Sequence, residues 1–561
     1  MTNEELVNLI YISIETEGPD FQKLCDLIDV TGVGMRDEPE KRATYYKVSK
    51  YAADYSRYMY VQGGGEKYEL LFQKAKCNEA PFYFDSYLQY LEHRRIYENR
   101  FYEPRMDCLR KIGVIQAMQD LEDDKIDILC ISLPPGTGKT TLEKFFASWV
   151  IGRHPDDYSL FFSHSGDITR MFYDGVLDIT TNGVEYAFND VFPEVLYTQK
   201  GSNAKMESLN FNKYKPFANL QCTSIGSKNA GKVRCNRYLY CDDLIGGIEE
   251  ALNKAYLAKL WNIYSTDAKQ RKVPREDGSP CKEIHIATRW STMDVIGRLE
   301  SIYGDSDRAR FIAVPDIDEA TGESNFLYEV GGMTTQFFND IALTMDDISY
   351  QCLYKNKPIE REGLLYTEEE IRRYLTLPLG EPDAILGVCD TKRTGTDYYC
   401  MVCFAQYGND YYLLDVVCDN TVNYELQYEK STNLIMNNNM QQMQFESNQG
   451  GDRVALEVNQ RIAKLNGFCN VTTKHTQENK ETKIIINADW IKKRCLFRDK
   501  SIISPKSDYD IFMKQLFSYS IVGKNTHDDV PDTLAMFAMM CKNLMAPVAK
   551  VEVIDRSLLG I

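Results

Sequence analysis

The sequence predicts an α/β chain folded as two successive sheets. Three observations carry that expectation. Short apolar runs alternate with helix-length stretches from Asp127 onward, a second strand series from Ala384 contains a tight hairpin, and 561 residues are too many for one hydrophobic core.

Residues 1 to 95 place apolar side chains at roughly helical spacing, with many Tyr and a break at Gly63-Gly64-Gly65, and read as a helical acidic accessory region. Residues 96 to 345 hold the first strand series, with apolar runs at 128 to 133, 158 to 164, 218 to 225, 237 to 241 and 284 to 288. Strands separated by helices pair through crossovers, so this sheet is expected to be mainly parallel. Residues 346 to 380 read as a connecting segment. In residues 381 to 545 the runs Tyr398 to Tyr407 and Tyr411 to Cys418 are joined only by Gly408-Asn409-Asp410. So short a link requires an antiparallel pair and therefore a second, mixed sheet. Residues 546 to 561 form a tail.

Composition is that of a folded soluble protein, 43% hydrophobic and 26% charged, without a biased tract. The start Met1-Thr2-Asn3-Glu4-Glu5 lacks the pattern of a signal peptide, and no run of about 18 apolar residues is present to span a membrane, so a cytosolic location is expected. The 16 cysteines are scattered singly through apolar stretches and read as reduced core thiols. Cys400 and Cys403 form a lone Cys-x-x-Cys without a second pair, for which core packing is the better reading than a metal site. The net charge of −17 argues at first against a nucleic-acid partner, yet residues 1 to 40 carry ten acidic and two basic side chains and so account for −8 of it. The stretch from Arg453 to Lys500 is rich in Lys and Arg, which suits either phosphate contacts or a solvated helix face.

The first chemistry-bearing segment is Leu133-Pro134-Pro135-Gly136-Thr137-Gly138-Lys139-Thr140-Thr141, a loop between an apolar strand and a helix. Backbone N–H groups and a helix N-terminus suit a β-phosphate, with Lys139 neutralising the β/γ oxygens and Thr140 ligating Mg²⁺. Pro135, Gly136, Thr137, Gly138, Lys139, Thr140 and Thr141 are thus the candidate nucleotide contacts. Leu133 stands where G-x-x-x-x-G-K-[ST] begins with Gly. About a hundred residues later, Tyr238-Leu239-Tyr240-Cys241-Asp242-Asp243 is an apolar strand ending in two carboxylates. Asp242 would hold Mg²⁺, and Asp243 would orient and deprotonate the attacking water, with Glu249 or Glu250 as alternatives. Ile284-His285-Ile286-Ala287-Thr288-Arg289 ends in a hydroxyl and a guanidinium. Thr288 is the candidate γ-phosphate sensor, with Arg289 as its support or as a charge near the phosphates.

A second acidic group follows. Ile385-Leu386-Gly387-Val388-Cys389-Asp390 ends a strand in a carboxylate, followed by Thr394-Gly395-Thr396-Asp397. Met443-Gln444-Phe445-Glu446 ends another strand in a carboxylate, and His527-Asp528-Asp529 opens a helix. Asp390, Glu446 and Asp529, with Asp528 as a further ligand, suit two Mg²⁺ or Mn²⁺ ions acting on a phosphodiester, although solvated loop ends would look alike in sequence.

Taken together, these residues resemble the large terminase subunit of tailed bacteriophages, over roughly residues 100 to 545. The most specific pieces are Ala287-Thr288-Arg289-Trp290-Ser291-Thr292-Met293-Asp294-Val295-Ile296-Gly297-Arg298-Leu299, similar to the family's T-R-W-h-x-D-D-L-x-G-R-L, and Pro358-Ile359-Glu360-Arg361-Glu362-Gly363, similar to its inter-domain segment. Tyr412-Leu413-Leu414-Asp415, Glu446-Ser447-Asn448-Gln449-Gly450-Gly451 and His527-Asp528-Asp529-Val530-Pro531-Asp532 add to these. The resemblance implies an ASCE-type P-loop ATPase domain followed by an RNase H-like nuclease domain. It further implies ATP with Mg²⁺, double-stranded DNA as cargo, a portal protein and a small terminase subunit as partners, and a homo-oligomeric ring, pentameric by family analogy. The expected place of action is the host cytoplasm and, transiently, the procapsid portal vertex. By position, Lys139, Thr140, Asp242 and Asp243 are the ATPase residues, and Asp390, Glu446 and Asp529 the nuclease triad, with Asp528 and Asp532 as substitutes. Pro134 and Pro135 occupy the place of the family's loop Arg, leaving Arg234, Arg237 or Arg153 as alternatives, and Arg105 stands near the place of its adenine-contacting Gln. Lys480 and Lys483 match a basic segment that would touch DNA phosphates. A non-packaging DNA translocase and nuclease of a mobile element, or a structural docking protein with an inactive nuclease, are the alternatives.

Overall fold

The structure is a computed structural model that describes residues 2–227, 233–358, 365–391, 398–421, 423–476, 479–520, 525 and 527–545. The chain divides into two units, Met1–Met345 with Ser349–Ile359, and Asp346–Ile348 with Glu360–Ile561. Thr394 to Asp397, the tail 546 to 561, and most of the segment Pro358 to Gly363 lie outside the described residues.

The first unit begins with the helices Asn3–Glu17, Phe21–Asp37, Arg42–Val61 and Glu66–Glu79, which enclose a core of their own around Leu24, Leu27, Ile28, Tyr45 and Phe72. Thr2 and Glu5 form a reciprocal capping box that starts the first helix. Then comes an eight-stranded sheet of β1 (Ile128–Ser132), β2 (Ser159–Ser163), β3 (Tyr197–Asn203), β4 (Ser208–Phe211), β5 (Leu220–Ser224), β6 (Tyr238–Asp242), β7 (Lys282–Ile286) and β8 (Ala309–Ala313). Their order is β3-β4-β5-β2-β6-β7-β1-β8, parallel except at β3/β4 and β4/β5. Strands β1, β2, β6 and β7 are buried along their whole length; β1, β2 and β6 therefore read as mainly apolar runs, while β7, Lys-Glu-Ile-His-Ile, buries Glu283 against Lys272 and His285. The run expected at 284 to 288 forms its strand two residues earlier. In the parallel register Asp242 lies beside Ile286, and Ile286 beside Ile131, so the C-terminal ends of β6, β7 and β1 are level.

The second unit carries β9 (Arg372–Tyr374), β10 (Ala384–Asp390), β11 (Tyr399–Tyr407), β12 (Asp410–Asp419), β13 (Gln442–Glu446), β14 (Asn470–Lys474) and β15 (Cys495–Arg498), in the order β14-β13-β10-β11-β12-β15-β9. β10, β11 and β12 pair antiparallel and the rest are parallel, so the sheet is mixed as expected. One face packs Val388, Val402 and Phe404 on the helices Lys480–Arg494, Asp508–Ser518 and Asp529–Met545; the other packs Cys389, Met401 and Phe445 on Tyr424–Asn437 and Gly451–Lys464. Cys400 belongs to the first core and Cys403 to the second. They point to opposite faces and cannot share a metal, in line with core packing. Among the described residues every cysteine is a free thiol, and no helix is long and apolar enough to cross a membrane.

Candidate functional site

In the first unit the strand ends build a cleft of about 530 Å³, lined by Pro135, Gly136, Gly138, Lys139, Thr140, Thr141, His164, Asp243, Gly246, Thr288 and Trp290 among others. The loop leaves β1 and enters the helix Lys139–Arg153 through Gly138, whose φ of +92° is one that L side chains rarely adopt. A Cβ there would also lie 2.2 Å from the Phe101 ring. Lys139 is buried and donates to the carbonyls of Leu133 at 2.6 Å and Pro134 at 3.2 Å. Thr137 closes the same turn by donating its hydroxyl to Pro134 O at 2.8 Å. The loop is thus folded on its own carbonyls, and the Leu at the first position supplies one of them. Two prolines leave it two fewer N–H donors than another sequence would have.

Thr140 donates its hydroxyl to Asp242 Oδ2 at 2.8 Å, joining loop and β6. Asp242 Oδ1 is buried without a partner. Burial, then the charge of Asp243, pushes the Asp242 carboxyl up to about 7. A carboxylate at a strand end beside a threonine hydroxyl is a donor set whose hard oxygens fit Mg²⁺. Asp243 adopts a left-handed backbone with φ of +39°, so its side chain turns away from that of Asp242 into the cleft. Its Oδ1 accepts the Thr288 backbone N–H at 3.2 Å, and its carbonyl accepts the backbone N–H of His164 at 3.3 Å. The β7 end therefore holds Asp243 through its backbone rather than its hydroxyl.

Other candidates fall elsewhere. Arg237 and Arg153 pair with buried Glu122, at the N-terminal end of β6. Tyr238 and Asp242 are four strand rises apart, about 13 Å at the usual rise. Neither guanidinium serves the phosphates from there, because burying Glu122 requires those cations. Arg234 lines a different cavity, with Thr169 and Ser224. Arg289 binds Glu300 at 3.0 Å, so it supports the corner after β7. Asp294 caps the following helix by accepting from Gly297 N at 2.7 Å. Glu250 accepts from Gly246 N at 2.7 Å, while Glu249 is exposed. Sequence reasoning missed His164 and the aromatic backing of the loop: Arg105 stacks between Phe101 and Tyr328, 4.9 and 4.8 Å from their centroids, and Tyr328 donates to Thr137 O at 3.2 Å. Of that backing, Arg105 alone stands out in the sequence.

In the second unit Cys389 is level with Phe445 on adjacent parallel strands, so Asp390 and Glu446 stand side by side at the ends of β10 and β13. Gly451 lets the next helix approach: a Cβ there would lie 1.7 Å from Glu446 O. The helix Asp529–Met545 brings Asp529 and, three residues on, Asp532 to the same place. Tyr398 N donates to Asp529 Oδ2 at 2.9 Å, and Asn448 to Glu446 Oε1 at 2.9 Å. Burial, then the charge of Asp532, pushes Asp390 well above the usual carboxylate range.

Lys480 is half-buried against the acidic group. Its ammonium lies 2.8 Å from Asp528, 3.5 Å from Asp529 and Asp532, and 3.9 Å from Asp390. Lys483 is buried and paired with Asp532 at 2.5 Å. Lys483 therefore does not take the surface position that contact with DNA phosphates needs, and Lys480 is partly exposed while its ammonium pairs with the acidic group. Burial opposes the charge of Lys480, but Asp532, Asp390 and Asp528 outweigh it and hold the ammonium well above its ordinary pKa. Among the described residues no group of three or more Asp, Glu, His or Cys is preset to hold a metal ion. The donor chemistry fits a hard divalent metal, with the Lys480 ammonium as a stand-in cation among the same oxygens.

The fold and its two sites define a class: an α/β unit with a phosphate-binding type of loop at its strand ends, followed on one chain by a mixed-sheet unit with an acidic centre. Residues 389–541 match the family described as the terminase RNaseH-like domain. That match lies within the second unit, which is RNase H-like, and does not reach the first. Among solved structures, the large terminase of a thermophilic bacteriophage is similar over 78% of this chain and 98% of its own, with 10% identity and a TM-score of 0.37. The HK97 bacteriophage large terminase is similar over 72% and 86%, with 9% identity and a TM-score of 0.30. The human cytomegalovirus terminase nuclease domain is similar over 32% and 97%, with 10% identity and a TM-score of 0.27. No curated protein matches the sequence.

Proposed function

We propose that this chain is the ATP-driven motor and endonuclease of a phage DNA-packaging machine, moving double-stranded DNA into a procapsid through the portal and cutting the concatemer. One observation carries the reading: a phosphate loop joined to β6 by the Thr140–Asp242 bond of 2.8 Å stands on the same chain as a terminase RNase H-like domain. Nucleotide use follows from the loop and its Thr140–Asp242 pair, and divalent metal use from the oxygen donors gathered at each centre.

For the ATPase, Lys139 would exchange the Leu133 and Pro134 carbonyls for phosphate oxygens, and Thr140 with Asp242 would hold Mg²⁺. The chemistry such an ion would supply there, when bound, is neutralisation of charge on the phosphates. Asp243 would take the proton of the attacking water through the oxygen that Thr288 N does not occupy, so that movement of the β7 end is tied to the state of the carboxylate. The Arg that completes this site would come from outside the loop. For the nuclease, Asp390, Glu446, Asp529 and Asp532, with Asp528 at the rim, would hold two Mg²⁺ or Mn²⁺ ions, and Lys480 would yield its place to them. Work in the host cytoplasm, a ring at the portal vertex and docking to a small subunit rest on the family resemblance.

Parallel assays of ATP turnover and plasmid cleavage, with Mg²⁺ and Mn²⁺ compared, test both centres. Lys139→Ala should abolish turnover and spare cutting, and Asp390→Ala the reverse. Cutting that survives Asp390→Ala unchanged would sink the acidic centre.

A further inference from the structure

The helix Lys139–Arg153 runs along β6, and the two elements meet in a column. Thr140 bonds Asp242; two turns further along the helix, Phe146 packs edge-on against Tyr238, with ring centroids 5.3 Å apart. Between them, on the same helix face as Thr140, lies Glu143, and between Tyr238 and Asp242, on their face of the strand, lies Tyr240. Glu143 is 0% exposed, and neither of its carboxyl oxygens has a hydrogen-bond partner. The Tyr240 hydroxyl and Asp242 Oδ1 on the strand side are likewise buried and unpartnered. A neutral core position would be filled by an apolar side chain, since an unpaired buried carboxyl destabilises the fold. Burial, then the charges of Asp242 and Asp243, pushes the Glu143 carboxyl well above its usual range.

We propose that Glu143 is a positioning residue of the nucleotide site: its carboxyl, the Tyr240 hydroxyl and Asp242 Oδ1 share one buried water that fixes the Asp242 carboxylate with Oδ2 on Thr140. Three polar partners are the usual complement of a buried water. One such water has the hydrogens and lone pairs to give one oxygen of each of the three groups a partner. Glu143 touches neither nucleotide nor metal and acts through Asp242, as groups behind a metal ligand do. The inference rests on the reading of the loop as a Mg²⁺–nucleotide site.

The test measures binding of a fluorescent ATP analogue to the full chain, with Mg²⁺ titrated and in chelator, for Glu143→Leu, Glu143→Gln and Tyr240→Phe. Glu143→Leu should raise the Mg²⁺ concentration for half-maximal enhancement about tenfold, the lower end of outer-shell effects. Its affinity in chelator should stay within about twofold of the wild type, because Lys139 and the loop N–H groups are intact. Glu143→Gln keeps a donor and should stay within about threefold. An unchanged Mg²⁺ dependence in Glu143→Leu overturns the proposal, as does an equal loss in Glu143→Gln, which would assign the effect to charge. Should Glu143→Leu not fold, Tyr240→Phe decides: a raised Mg²⁺ requirement supports the shared water, and an unchanged one overturns it. Failure of the wild type itself to bind the analogue would overturn the ATPase reading instead.

Discussion

Replacing Lys480 by Met should destabilise the second unit in chelator and make its stability depend on divalent ions. The side chain places one ammonium within 4 Å of four carboxylates, at 2.8, 3.5, 3.5 and 3.9 Å. Breaking a buried pair by removing one partner costs about 3–5 kcal/mol, whereas an exposed pair contributes about 0–1 kcal/mol. The Lys480 side chain keeps 39% exposure, so solvent screening discounts the buried figure and leaves about 2 kcal/mol. For a unit of this size that corresponds to a Tm lower by about 4–8 °C. Differential scanning fluorimetry of the full chain in chelator would read it from the transition that Asp390→Ala also moves. Because a divalent ion competes for the same oxygens, millimolar Mn²⁺ should raise the Tm of Lys480→Met more than that of the wild type. An unchanged Tm in chelator, or equal metal-induced shifts in both proteins, would refute the stand-in role of the ammonium.

Asp243→Asn keeps an acceptor for Thr288 N but removes the base, and should lower kcat for ATP about 100-fold or more with little change in nucleotide affinity, measured by coupled ATPase and binding titration. Gly138→Ala forces a Cβ onto Phe101 at a φ of +92°, and loss of nucleotide binding in equilibrium dialysis is expected. Glu122→Gln should cost about 3–5 kcal/mol at neutral pH by leaving Arg237 and Arg153 without their carboxylate, read from denaturant unfolding. Burial alone would raise the pKa of Glu122, but the His154 hydrogen bond and the Arg153 and Arg237 charges hold it well below the usual carboxylate range. Its stabilisation is therefore complete above that range and lost as pH falls below it, so the variant should show a flatter acid limb; an acid limb identical to the wild type's would count against the linkage.

Much of both centres is legible because a buried strand is a continuous apolar run and a functional side chain sits where the run stops. Asp242, Thr288, Asp390 and Glu446 all stand out that way, and the Gly408-Asn409-Asp410 turn discloses the mixed sheet. The strands that escape notice lack that contrast. β3 reads Tyr-Thr-Gln-Lys-Gly-Ser-Asn and is largely exposed, and β9 spans only three residues, 372 to 374. The orientation of Lys480 and Lys483 escapes for another reason: the same basic helix face serves solvent or an acidic cluster, and local pattern does not distinguish them.

The sequence by itself determined which groups can bind phosphate and metal, since the residue types and their place at strand ends are local properties. Tertiary structure alone decided which of them meet. Asp390 and Asp532 are separated by more than a hundred residues yet share one ammonium, and Arg237, five residues before Asp242, is turned to Glu122 at the other end of its strand. Strand register and helix packing set those distances. Electrostatics in a dry interior then makes each buried charge find a partner there, whatever its neighbours in sequence.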